Sequence, residues 1–382
     1  MPFQLNLGKQ RSSIPHSIIL CNFNSLKTLL LVNYEMRFII SNIPMIIYTF
    51  RFILNSNIIF INLLNMKVII PAAGTGTRLF PHTHTKPKPM VYIAGKPIIG
   101  HILDRMIDLE PSEIILVVGY RKELLISYVN ENYKEIFNIR YVDQAERLGL
   151  GHSIYLTREF VENSDVMIAL GDMIFKSGYL DFYEQHKNNG HCSGSIGVKE
   201  VDEPKKYGIV ELESETTCVK KLEEKPEHPT SNLGIAGVYF VQDTVRLFEM
   251  LERIVDKNIK TRGEYQLTDA LQEMINRGSK FKTFTVSSWY DCGHAESLLE
   301  TNRVLLDENA ESNNKYSISG SVIIQPVTIG ENVKISNSIV GPYASIANDT
   351  IIKNSIVSNS VIGARAQLIT VNLQSSIIGD DA

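Results

Sequence analysis

The sequence predicts an α/β chain: a doubly wound domain over residues 66–307, a linker over 308–317 and a left-handed parallel β-helix over 318–382. Three observations predict it. Apolar runs at Val68–Ile70, Ile114–Val118 and Val166–Leu170 alternate with segments of helical periodicity. Such unbroken runs suit strands of a parallel sheet covered on both faces. A small-residue loop follows the first run, where open α/β sheets place their ligands. Beyond residue 317 the apolar positions recur about every six residues, the mark of a hexapeptide coil.

Taken in order, Pro97–Leu109 carries Ile98, Ile99, Ile102, Leu103 and Met106 at helical spacing. Lys122–Tyr133 reads as a second helix, Ile139–Val142 as a strand and Ser153–Phe160 as helical. Val245–Val255 is amphipathic, Tyr265–Leu271 is a further helix that supports loops, and Ala295–Asp307 is helical before the polar linker. In the tail, Ile323, Ile329 and Ile335 are spaced by six, as are Val340, Ile346 and Ile352, and Ile362 and Leu368. Steps of five, from Ile335 to Val340 and from Val357 to Ile362, read as corners or as imperfect coils.

A chain of 382 residues accommodates two or three domains with sizeable cores. A net charge of −4 gives no basis for a nucleic-acid partner, so phosphorylated ligands would need local positive charge. Cys21, Cys192, Cys218 and Cys292 lack repeated spacing, which argues against both a disulfide framework and a zinc site and fits a reducing cytoplasm. Residues 1–65 hold a single acid, Glu35, and are rich in Ile, Asn, Phe and Leu. Asn42 and Pro44 interrupt the apolar stretch Phe38–Phe50, and Arg51 separates it from Ile58–Leu64. Spanning a bilayer takes about 20 apolar residues, so a membrane anchor is disfavoured. The segment reads as an extension foreign to the fold, translated from upstream of Met66.

The central stretch is Val68-Ile-Ile-Pro-Ala-Ala-Gly-Thr-Gly-Thr-Arg-Leu79, with Lys86-Pro-Lys-Pro-Met90 after it. Gly74 and Gly76 let backbone amides approach a ligand, and Arg78 and Lys88 add fixed positive charge. Bare amides plus two cations suit phosphate. A dinucleotide fingerprint needs a third glycine where Leu79 stands, and a P-loop needs Gly-Lys-Ser/Thr where this chain has Gly-Thr-Arg. The stretch instead resembles the signature of the sugar-1-phosphate nucleotidyltransferases, the family of glucose-1-phosphate thymidylyl- and uridylyltransferases.

The resemblance extends through further motifs. Asp172 follows the strand Val166–Leu170, and Asp291 lies in Trp289-Tyr-Asp-Cys-Gly293, similar to the family's Trp-x-Asp-x-Gly. Mg²⁺ prefers one or two carboxylates plus phosphate oxygens and waters, and the resemblance implies that this pair holds it. Cys292 and His294 depart from the threonines common there, and His294 reads as a helix-start residue. Gln144 with Gly149 five positions on resembles the base-reading motif. An amide that both donates and accepts suits the edge of thymine or uracil. Tyr207-Gly208, Glu224-Lys225-Pro226 and Ile235 resemble the sugar-binding segments.

The resemblance thus implies nucleotidyl transfer from a pyrimidine NTP (dTTP or UTP) to a sugar 1-phosphate, glucose 1-phosphate first among them, giving an NDP-sugar and pyrophosphate. Arg78, Lys88 and Asp172 would act at the phosphates, while Ala73, Gly74, Gly76 and Thr77 hold the nucleotide together with Gln144 and Gly149. Gly208, Glu224, Lys225 and Ile235 would bind the sugar phosphate. GTP with mannose 1-phosphate is an alternative pair. A non-catalytic regulatory subunit is a second class of reading, opposed by the presence of both aspartates and the Arg/Lys pair. Many hexapeptide proteins are histidine-dependent acyltransferases, but His294 is the last histidine, so the tail reads as an element of assembly, with a homo-oligomer expected.

Overall fold

The structure is a computed structural model that describes residues 66–161, 164–308 and 317–382. The expectations for residues 1–65 and for most of the linker lie outside the described residues. Strand Lys67–Pro71 is central: it pairs in parallel with Glu113–Val118 on one side and Val166–Ala169 on the other. Ile139–Asp143 extends the parallel half beyond Glu113–Val118.

The alternation of side chains explains the unbroken apolar runs. Val68 and Ile70 enter one core, whereas Ile69 between them enters the other. Ile114, Leu116 and Val118 likewise enter the first core, and Ile115 and Val117 the second. Helices Ile98–Asp104, Lys122–Tyr133, Tyr179–Asn188 and Ala295–Glu308 contribute to the first core. Thr244–Asp256 and Leu267–Asn276 contribute to the second. A strand with a core on each face has no polar side to show.

Beyond Val166–Ala169 the sheet changes direction. Leu233–Val241 joins antiparallel and continues into Gly208–Leu212, Val219–Glu224 and Gly194–Glu200. Phe281–Thr285 closes that side, parallel to Gly194–Glu200. The sheet is therefore parallel on one side of Val166–Ala169 and mostly antiparallel on the other.

Two expected helices are broken. Ile98–Asp104 ends early, and Ile107–Leu109 is a separate 3₁₀ turn. The carbonyl of Arg105 accepts from Tyr179 N at 3.1 Å, which diverts the helical ladder. The segment expected as Ser153–Phe160 forms Leu150–Tyr155 and Arg158–Val161 instead. Between them the Thr157 hydroxyl donates to the Ile154 carbonyl at 2.7 Å, a local bond that competes with helix continuation. The helix expected to open at Tyr265 starts at Leu267.

The tail forms three four-stranded parallel sheets. Ile318, Ile335, Ile352 and Leu368 stack in one sheet, and Val327, Ala344 and Val361 begin neighbouring strands of another. This is the left-handed parallel β-helix the repeat predicts. The five-residue step from Ile335 to Val340 recurs from Ile352 to Val357, so it is a regular corner rather than an irregularity. Asn337, Asn354 and Thr370 occupy equivalent corner positions with φ of 48°, 50° and 57°. Asn tolerates this left-handed region better than most residues.

Candidate active site

The central strand delivers its chain into a turn over Ala72–Gly76, then into a 3₁₀ turn at Thr77–Leu79. Gly76 has φ 67°, and a Cβ there would lie 2.9 Å from Lys88 Cβ. The Thr83 hydroxyl donates to the Gly76 carbonyl at 2.7 Å and ties the loop down. Gly76 is thus required by its handedness and by the lysine stem beside it.

A cleft of about 380 Å³ opens at the carboxyl ends of the parallel strands. Ala73, Gly74, Lys88, Gln144, Gly149 and Asp172 all line it. Gly76, Thr77 and Arg78 continue the same loop but lie outside the cleft wall. Arg78 is exposed and has no acidic partner among the described residues.

The two aspartates, far apart in sequence, are joined by a strand pair that the sequence reading did not foresee. Met173–Phe175 and Trp289–Asp291 pair antiparallel, with Asp291 opposite Met173. Cys292 N donates to the Asp172 carbonyl at 3.1 Å and extends the pairing to the first aspartate. Lys88 Nζ lies 2.5 Å from Asp172 Oδ2 and 3.9 Å from Asp291 Oδ1. Burial pulls the Lys88 ammonium down, but the charge and hydrogen bond of Asp172, with Asp291 behind, outweigh it and hold it above the ordinary lysine value. Burial and the Asp172 charge push Asp291 up, against the pull of Lys88.

Two glycines explain the motif spacing. A Cβ on Gly171 would sit 2.6 Å from the Pro71 carbonyl, so two strand ends meet there. A Cβ on Gly293 would sit 2.7 Å from Asp291 Oδ1, so the carboxylate packs over bare backbone. Cys292 points away into the core, where burial pushes its thiol up to about 12. A thiol with that value stays neutral and leaves the carboxylate pair undisturbed. His294 is exposed and immediately precedes helix Ala295–Glu308, where its backbone bonds Ser297.

At the other end of the cleft, Gln144 is 7% exposed, and its Nε2 donates to the Gly149 carbonyl at 3.2 Å. Gly149 has φ 105°, and a Cβ on it would meet the Tyr265 carbonyl at 2.6 Å. Tyr265 itself bonds to both flanks of that glycine, donating from N to Leu148 and accepting from Gly151 N at 2.8 Å each. This is the loop support expected of the Tyr265 segment. Arg147, Ser153 and Glu264 also line the cleft, though the sequence did not single them out. Arg147 lies between Gln144 and Gly149 in the chain. Ser153 carried no signal of its own, yet its buried hydroxyl has no partner among the described residues, the state expected of a group that bonds a ligand.

Gly208, Glu224 and Ile235 meet on the antiparallel strands: a Cβ on Gly208 would lie 3.0 Å from both Glu224 Oε2 and Ile235 Cδ1. Thr268 Oγ1 donates to Glu224 Oε2 at 2.8 Å, and Lys225 Nζ lies 3.4 Å from Glu224 Oε1. None of these lines the cleft wall. They approach the aspartates through Tyr207, whose ring centroid is 5.2 Å from that of Trp289.

Among the described residues, no group of three or more His, Cys, Asp or Glu could hold a metal. The site offers two carboxylates with a lysine between them, one of them pushed toward neutrality by burial and by the charge of the other. Mg²⁺ is content with two carboxylates if phosphate and water complete its shell, so the residues present fit it in the presence of a triphosphate.

The family model for nucleotidyl transferase matches residues 67–308. A glucose-1-phosphate thymidylyltransferase of Streptomyces griseus is 29% identical over 82% of this chain and 92% of its own length. The bifunctional protein GlmU of Methanococcus maripaludis strain C5 is 36% identical over 81% of each chain. A solved structure of UDP-glucose pyrophosphorylase with UDP-glucose is 27% identical, with a TM-score of 0.54, over 64% of this chain and 99% of its own.

Proposed function

The chain belongs to the nucleotidyl transferase family, forming an NDP-sugar from a sugar 1-phosphate, and we propose that its substrates are dTTP or UTP and glucose 1-phosphate. The observation that carries the site assignment is the convergence of Lys88, Asp172 and Asp291 beside the Gly74 loop. The relatives named for thymidylyl transfer and for UDP-glucose support a pyrimidine and glucose. Gln144 and the unpartnered Ser153 hydroxyl offer polar groups for a base edge.

The nucleophile is a phosphate oxygen, anionic at neutral pH, so no general base is needed. Catalysis rests on positioning and charge. The Gly74–Thr77 amides and Arg78 receive the β- and γ-phosphates and stabilise the departing pyrophosphate. Lys88, kept protonated by its aspartates, sits where charge gathers at the α-phosphate. Asp172 and Asp291 would hold Mg²⁺, which when bound offsets negative charge on the phosphate oxygens. Glu224, fixed by Thr268, accepts from sugar hydroxyls, and Lys225 meets the sugar phosphate.

The β-helix has no histidine, so we read it as non-catalytic and as the seat of self-association. No helix among the described residues is long and apolar enough to cross a membrane. The test is pyrophosphate release across four NTPs and several sugar 1-phosphates, with and without Mg²⁺. Mg²⁺-dependent release with dTTP or UTP and glucose 1-phosphate is expected. Release confined to GTP and mannose 1-phosphate would overturn the substrate pair, and none with any pair would favour a regulatory subunit.

A further inference from the structure

The β-helix is bonded to the segment that carries Lys88. Lys86, two residues before it, reaches the last coil: its Nζ lies 2.7 Å from Oδ1 and 2.6 Å from Oδ2 of Asp380. Both side chains are largely buried, at 15% and 16% exposure. The same carboxylate accepts from Ala364 N at 2.9 Å, so it is fixed to the preceding coil as well. Gly379 lies beside His82 on the same loop.

The far end of the segment is held too. Ala94, at the tip of the hairpin Tyr92–Pro97, donates its N–H to Asn302 Oδ1 at 2.9 Å and faces Ser345 Oγ at 3.0 Å. Ser345 belongs to the coil and donates to Asn302 Oδ1 at 2.6 Å. Residues 86–94 are therefore bound to the β-helix at both ends, with Lys88 between them.

We infer that the β-helix is a brace for the catalytic lysine, with Asp380 as a positioning residue that holds the Lys86–Met90 segment in register with Asp172. The inference rests on the reading of Lys88 given above. A paired charge in a partly buried site is costly to leave half-paired, so loss of the Asp380 charge releases Lys86 and loosens the segment. A misplacement of about 1 Å at a catalytic group costs up to roughly 100-fold in rate.

The experiment uses the full chain with Asp380→Asn and Asp380→Glu. Asp381→Asn is the control, because Asp381 pairs with the exposed Arg365 within the coil. Asp380→Asn is expected to lower kcat roughly 10- to 100-fold with KM for the NTP little changed, and Asp380→Glu to restore most of it. Backbone hydrogen exchange over residues 82–90 should rise in Asp380→Asn and stay put in Asp381→Asn. Wild-type kcat in Asp380→Asn, or an equal loss in Asp381→Asn, would overturn the brace. If the wild-type chain shows no turnover, the functional reading fails instead. The exchange measurement then decides the brace alone: faster exchange only in Asp380→Asn supports it, and unchanged exchange overturns it.

Discussion

The α/β domain and the β-helix solve opposite problems. In the α/β domain, the proposed chemistry rests on single residues that meet from distant parts of the chain: Lys88, Asp172 and Asp291 converge through one short strand pair. In the β-helix, side chains repeatedly bond partners 16 or 17 residues away, as in Asn332 to Asp349 and Ala364 to Asp380. One region concentrates consequence in a few positions, and the other spreads it along a ladder. The contrast teaches that loss of turnover and loss of stability should separate cleanly between them, except where Asp380 joins the two.

The largest expected effect is on turnover. Asp172→Asn should lower kcat on the order of 10²- to 10³-fold while circular dichroism and Tm remain those of a folded chain. A near-normal rate would break the contrast. In the coil, Ile352 is fully buried, and Ile352→Ala should cost about 2–5 kcal/mol of tail stability. Denaturant unfolding measures this, and kcat well below the transition should hold. A smaller, mixed effect is expected at Gly149, where φ is 105°. Gly149→Ala should raise KM for the NTP roughly tenfold, equivalent to about 1.4 kcal/mol, by moving the Gln144 loop away from Tyr265.

The smallest effect has an opposite sign. Burial and Asp172 hold Asp291 above its ordinary value. A folded-state pKa above the unfolded one means that stability present at low pH is lost as pH rises through the folded pKa. Asp291→Asn should therefore raise Tm slightly at neutral pH, even as it removes turnover. That gain should shrink as pH falls and the wild-type carboxyl takes up its proton. A melt series across pH checks it.

The fold classes were legible because their signals are local. Strands Val68–Ile70 and Ile114–Val118 read as unbroken apolar runs because cores lie on both faces. The coil read as a period of six because each face of it needs one inward side chain. The antiparallel turn of the sheet at Leu233–Val241 was not legible, since an apolar run does not encode strand direction. The pairing of Met173–Phe175 with Trp289–Asp291 was also hidden, being a contact between segments of three residues each. Gln144, Gly149 and Asp172 were found through their resemblance to motifs, whereas Ser153 and Glu264 enter the cleft only through tertiary placement. The ion pair of Lys86 and Asp380 joins loop to coil across 294 residues, and nothing local announces it.

The central claim is that the Trp289–Asp291 strand and Asp172 form one site for a metal and a triphosphate. The chain has a single tryptophan, Trp289, two residues from Asp291. Its emission during titration with UTP or dTTP, with and without Mg²⁺, therefore reports the site directly. The account predicts a saturable change in emission that requires Mg²⁺ and is lost in Asp172→Asn. An emission change indifferent to Mg²⁺, or identical in Asp172→Asn, would contradict it.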